Sequence, residues 1–172
     1  MINIILKKNK AFTLVETIVY IAIFSLFIIG ATSFMGDIST ARLHNQMVLE
    51  INDQGSKAMK TITQVLRNGS NVNSPTIGNT AYNLSVVTNV PATSPTVFSL
   101  SSGAIYMQEG SGSPVALTNN KVVASNLVFS NFSRPDTPNI IKISFTLTST
   151  NATSSPSGQY SFTFNGSGAL RK

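Results

Sequence analysis

Residues 7–35 read KKNKAFTLVETIVYIAIFSLFIIGATSFM. After three lysines (Lys7, Lys8 and Lys10), the 20 residues Thr17–Gly36 carry no charge and no proline. At ~1.5 Å per residue a helix of that length spans roughly 30 Å, the hydrocarbon thickness of a bilayer. A helix is also the only single-segment structure that satisfies its own backbone in lipid, so the β-branched content is no obstacle. The lysines place the N-terminal side in the cytoplasm by the positive-inside rule, and the bulk of the chain outside. One residue resists this simple reading. Glu16 puts a carboxylate at the head of the apolar run, where an unpartnered charge is costly.

The rest of the 172-residue chain suits one anchored domain. Only 10% of residues are charged against 42% hydrophobic, a patterned composition that excludes intrinsic disorder. The formal charge of +6 is concentrated at the ends: without Lys7, Lys8 and Lys10 the balance falls to 9 basic against 6 acidic residues, or +3. A nucleic-acid-binding surface therefore gains little support from the high pI. There is no cysteine, which excludes disulfides and Cys-ligated metals.

Two ordinary explanations of the N-terminus compete. A secretory signal peptide would need an apolar core of about 7–15 residues and a small-residue cleavage site. The run here is longer, and Gly30–Ser33 (GATS) is a poor site. A plain signal anchor accommodates the length but leaves Glu16 without a role.

KAFTLVE, followed by about 20 apolar residues, resembles the class III leader of type IV pilins and pseudopilins, with F-T-L-[VI]-E matched in full over Phe12–Glu16. The resemblance implies cleavage between Ala11 and Phe12 by a membrane prepilin peptidase, which also N-methylates Phe12, and makes Glu16 the fifth mature residue. It departs from the family at Ala11, where glycine is usual. It further implies that Glu16 pairs with the N-terminal amine of a neighbouring subunit, a charge that methylation preserves. In an apolar filament core a wrong axial register would leave both charges unpaired. The implied partners are other pilin subunits, the peptidase and methyltransferase, an inner-membrane assembly platform, and lipid before assembly. No cofactor, metal site or catalytic residue is implied.

Beyond the span the sequence predicts a continuing amphipathic helix. Ile51, Gly55, Ala58, Ile62 and Val65 recur at spacings of four and three, one helical face. RNGS at 67–70 supplies a basic last turn followed by Asn and Gly, a helix stop. A helix from Leu14 to Arg67 would be near 80 Å long at ~1.5 Å per residue. Gly36 and Gly55 are candidate flex points. From Asn71 the period changes to two, predicting strands at 81–90, 96–100, 103–108, 114–117, 120–132, 139–150 and 159–166. Ile141, Ile143, Phe145 and Leu147 alternate with polar residues, as do Tyr160, Phe162 and Phe164, and the two runs should pair as a hairpin across 150–158. EGSGSP at 109–114 reads as another hairpin tip. One antiparallel sheet with a face on the amphipathic helix is expected, an α+β, pilin-like fold. Its sheet-only C-terminal part resembles minor pilins and the J/W-type minor pseudopilins.

No catalytic constellation is present. His44 is the lone histidine and falls on the helix, the serines lack a partnering base, and Glu109 and Asp136 lie in separate loops. GSGSP lacks the lysine and helix of a phosphate loop. Arg134, Lys142, Arg171 and Lys172 could form a DNA-binding patch, but with no aromatic interleaved a solvated surface is favoured. The sequence thus divides into a leader (1–11), a transmembrane helix half (12–35), a stem (36–68) and a β domain (69–172). The expected function is a filament subunit rather than an enzyme: a minor pilin or pseudopilin of a type IV pilus, competence or type II secretion system, with a filament-tip adhesin or DNA receptor as the alternative.

Overall fold

The computed structural model describes residues 13–135, 137–150 and 159–171. The leader with Lys7, Lys8, Lys10, Ala11 and Phe12 lies outside the described residues, as do Asp136, the turn 151–158 and Lys172. The chain falls into two compact units, divided between Leu43 and His44.

One helix, α1 (Leu14–Asn68), starts in the first unit and ends in the second. Within the first unit its side chains are exposed, including Leu14, Phe24, Phe27 and Met35, save for Glu16 and Ile38, which are half-buried. The helix is long and apolar enough to cross a membrane. Its hydroxyls suit that medium. Thr17, Ser25, Thr32, Ser33, Ser39 and Thr40 each donate to the backbone carbonyl four residues earlier, at 2.7–3.2 Å. A hydroxyl satisfied within its own helix exposes no orphan donor to lipid.

In the second unit α1 turns an apolar stripe inward, and Ile51, Gly55, Ala58, Ile62 and Leu66 are buried. The predicted stripe ended on Val65. That residue packs against the core but is only partly buried, and Leu66 takes the innermost place. The sheet-forming residues are β1 (Gly69–Ser74), β2 (Thr80–Ala81), β3 (Leu84–Thr88), β4 (Thr96–Ser101), β5 (Ala104–Glu109), β6 (Val115–Ala116), β7 (Val122–Asn131), β8 (Ile140–Ser149) and β9 (Ser161–Ala169). All their pairings are antiparallel. An α+β architecture, with the helix on antiparallel sheets, is what the sequence predicted.

The sheets number two, not one. Their orders are β1-β3-β4-β5-β6 and β2-β7-β8-β9. The division arises within the predicted strand 81–90, which breaks at Tyr82–Asn83. Thr80–Ala81 pairs with β7, while Leu84–Thr88 pairs with β1 and β4. Leu84, Val86, Phe98 and Ile105 from one sheet and Phe129, Ile143, Phe145 and Leu147 from the other join the helix stripe in one core. Two sheets facing a common core cover more apolar surface than a single open sheet.

Local chemistry explains other departures. β1 follows the helix without a connecting residue, so Gly69 is not a left-handed helix cap. It is a close-approach glycine, since a Cβ there would overlap Val86 Cγ1. β4 and β5 join through Ser102 (φ 47°) and Gly103 (φ 74°), the two positive-φ residues of a tight hairpin turn. Asn126 (φ 53°) sits in a bulge of β7. The one extra residue switches the inward positions from Val122 and Ala124 to Leu127 and Phe129. The predicted hairpin at 109–114 is present as the β5–β6 connection.

The helix meets β9 through glycines. A Cβ at Gly55 would overlap the Phe164 ring, and one at Gly168 would lie 2.8 Å from Leu66 Cδ1. Phe164 also stacks on Phe145, its directly paired neighbour on β8, with centroids 5.3 Å apart. Gly55 is therefore a packing site for an aromatic ring, not the flex point its type suggested. A second tie is polar. Glu50 accepts from Asn119 Nδ2 (2.8 Å) and Gln54 Nε2 (3.1 Å), and Lys121 Nζ lies 3.4 Å from its other oxygen. The Asn119 amide holds the Glu50 carboxyl below the usual carboxylate range; partial desolvation opposes this, and Gln54 and Lys121 reinforce it.

Two outcomes follow from these contacts. Gly55→Ala should lower stability by about 1–3 kcal/mol through overpacking, although an exposed helical Gly→Ala normally gains ~1 kcal/mol. The sign of the Tm change in micelles decides which effect governs. The Glu50 contribution, from a depressed folded pKa, is present above the unfolded value of about 4.3 and disappears as pH falls through the lower folded value. Glu50→Gln should flatten the loss of stability below about pH 5, measured by urea unfolding across pH.

Candidate functional site

The candidate site is the first turn of α1. Thr13 precedes the helix, and its Oγ1 accepts the Glu16 backbone N–H at 3.3 Å. Thr13-x-x-Glu16 thus has the spacing of a capping box, with Glu16 at the third helical position. Four N–H groups at a helix start lack intrahelical acceptors, and the macrodipole is positive there. A carboxylate at this point is favoured by the helix itself.

The Glu16 side chain also has a direct donor. Tyr20 O–H donates to Glu16 Oε1 at 2.9 Å, one helical turn along. The spacing of four puts the two side chains on one face. Tyr20 was absent from the functional residues expected from sequence, though this spacing is a signal that could have found it. Glu16 is half-buried in the single chain while Leu14, Val15 and Ile18 around it are exposed. The site therefore presents one oriented carboxylate within an apolar, outward-facing surface. Such a group can accept a cation or a further hydrogen-bond donor.

The other candidates are dispersed. His44 is exposed, with its ring edge against Tyr160 at 5.8 Å. Glu109 is exposed at the end of β5, and its proposed companion Asp136 lies outside the described residues. Among the described residues no group of three His, Cys, Asp or Glu side chains could hold a metal ion. Of the basic residues considered for DNA, Arg134 lies in the β7–β8 connection, Lys142 on the outer face of β8, and Arg171 just beyond β9, all exposed. Lys172 lies outside the described residues.

Comparison with known proteins bears on the same turn. The family model for the prokaryotic N-terminal methylation motif matches residues 6–32, which contain the basic stub, Phe12, Glu16 and most of the apolar run. No curated protein and no solved structure matches the chain.

Proposed function

Because residues 6–32 are the prepilin-type signal of type IV pilins and pseudopilins, we propose that this chain is a processed filament subunit: a minor pilin or minor pseudopilin of a type IV pilus, competence or type II secretion filament. Residues 1–11 act as a discarded leader, cut between Ala11 and Phe12, with methylation of the new Phe12 amine. Lys7, Lys8 and Lys10 set the orientation before the cut. Residues 12–35 hold the subunit in the cytoplasmic membrane with its N-terminus inside, and residues 36–68 and 69–172 form the stem and β domain outside it. The peptidase, the assembly platform and other pilin subunits are the partners.

The motif at residues 6–32 carries this reading, and the placement of Glu16 supports it. In the membrane-held subunit, the helix dipole and the Tyr20 hydroxyl ease the cost of the charge. In the filament, Glu16 meets the methylated amine of a neighbouring Phe12. An unpaired ion in an apolar core is strongly disfavoured, so the pair selects one axial register. Extraction from lipid exchanges one apolar surrounding for another, and the exposed residues of the span then pack against neighbouring helices. Nothing in this scheme needs a bond made or broken by the subunit itself.

Assembly of Glu16 variants tests the scheme. Glu16→Ala subunits should be cut and membrane-inserted as usual but should fall at least about tenfold in sheared filaments, as expected when a buried charge loses its partner. Glu16→Ala subunits present in filaments at the unaltered level would refute the pairing role.

A further inference from the structure

We propose that the free edge of β9 and the adjoining groove along α1 bind an extended, acidic segment of a different polypeptide, which adds a fifth strand to the β2-β7-β8-β9 sheet. The inference rests on the second unit alone and stands apart from the filament reading.

β9 is an outer strand, paired only with β8 among the described residues. The phase of its ladder is fixed at both ends. Ser149 N–H donates to Tyr160 O, and Leu170 N–H donates to Asn139 O, each at 3.0 Å. In an antiparallel ladder alternate residues point their backbone groups at the partner. Residues 160, 162, 164, 166, 168 and 170 therefore face β8. Ser161, Thr163, Asn165, Ser167 and Ala169 direct their N–H and C=O groups to the open side.

Outer strands are normally guarded by shortness, charge, proline or bulges, because an open edge invites another strand. The other three outer strands fit that rule. β2 and β6 have two residues each, and β1 carries two register shifts. β9 has nine residues in unbroken register, SFTFNGSGA, with neither charge nor proline. It is the one long unguarded edge among the described strands.

The space beside that edge is already shaped. A groove of about 570 Å³ runs between β9 and one stripe of α1, with Met59, Thr63 and Phe164 along it, Lys60 and Arg67 at its helix side, and Asn165 at the strand side. A strand laid against Asn165 would turn alternate side chains into this groove. Met59 and Leu66 of the helix already cover Gly166 and Gly168, so the room for incoming apolar side chains lies in the groove beside them.

Charge decides the occupant. Lys57 is paired with Asp53, but among the described residues Lys60 and Arg67 have no ion-pair partner, so the groove favours carboxylates. The chain's own segments do not supply them in extended form. Residues 1–12 are basic, and 151–158 contain no acid. Glu16, Asp37, Glu50 and Asp53 lie on α1, Glu109 is on an internal strand, and Asp136 is flanked by Pro135 and Pro138, with Pro lacking the N–H a strand needs. A second copy is thereby disfavoured, and the fitting partner is a foreign segment alternating apolar and polar residues with at least one glutamate or aspartate. Main-chain bonds to β9 would give affinity and the groove would give selectivity, as in strand addition generally.

The test uses the full chain in detergent micelles and a labelled nine-residue probe in which threonines alternate with phenylalanine and glutamate. Fluorescence anisotropy should show saturable binding. Replacing glutamate by lysine, N-methylating alternate probe residues, or introducing Lys60→Glu with Arg67→Glu should each weaken it by about tenfold or more. The double variant should keep an unchanged circular-dichroism spectrum, since both side chains are exposed. Equal binding of the acidic and lysine probes, indifference to N-methylation, or no saturable binding at all would overturn the proposal.

Discussion

The close approach of α1 to β9 is the constraint on which the second unit depends. Gly55 has no Cβ, so the Phe164 ring can lie against the helix backbone, and that ring in turn stacks on Phe145. Leu66 reaches over Gly168 in the same way. These contacts bring the helix stripe within range of both sheets, so Ile51, Ala58 and Ile62 share one core with Phe98 and Phe129. A larger residue at the contact would hold the helix off and open that core to water. Close-packed interiors tolerate such shifts poorly. The Glu50 contacts with Asn119 and Lys121 then tie the helix to the β6–β7 connection.

The same helix faces a different demand in the first unit. There it has no core to enter, and its apolar side chains remain outward. The backbone is satisfied by the helix, the hydroxyls are satisfied by backbone carbonyls, and the one carboxylate is held at the positive end of the dipole beside a tyrosine hydroxyl. The hydroxyls of Thr17, Tyr20, Ser25, Thr32 and Ser33 and the Glu16 carboxylate thus have partners within the helix, while the apolar side chains remain outward. That combination suits a helix long and apolar enough to cross a membrane, and it is compatible with the filament role proposed above.

Local patterns were legible in the sequence, and non-local ones were not. The helix followed from apolar run and 3.6-residue period, and β8 and β9 from strict alternation of Ile141–Leu147 and Tyr160–Phe164. β1 escaped notice because GSNVNS has one apolar residue, Val72, and follows a helix directly. The sheet count depended on a break at Tyr82–Asn83 that no residue type announces, since pairing partners lie far apart in sequence. The bulge at Asn126 hid the inward phase of β7. Gly55 looked like a flexible point because its neighbour, Phe164, is 109 positions away. In the candidate site Glu16 stood out as a charge in an apolar run, whereas Tyr20 was obscured as one more residue of that run despite its spacing of four.

The central claim is that the chain acts only after conversion at its N-terminus, and intact-mass and N-terminal peptide mass spectrometry of the protein from its native membrane tests it most directly. The account predicts a mature chain that begins at Phe12 and carries one methyl group on the α-amine. A chain that retains Met1–Ala11, or one that begins beyond the apolar run, would contradict it.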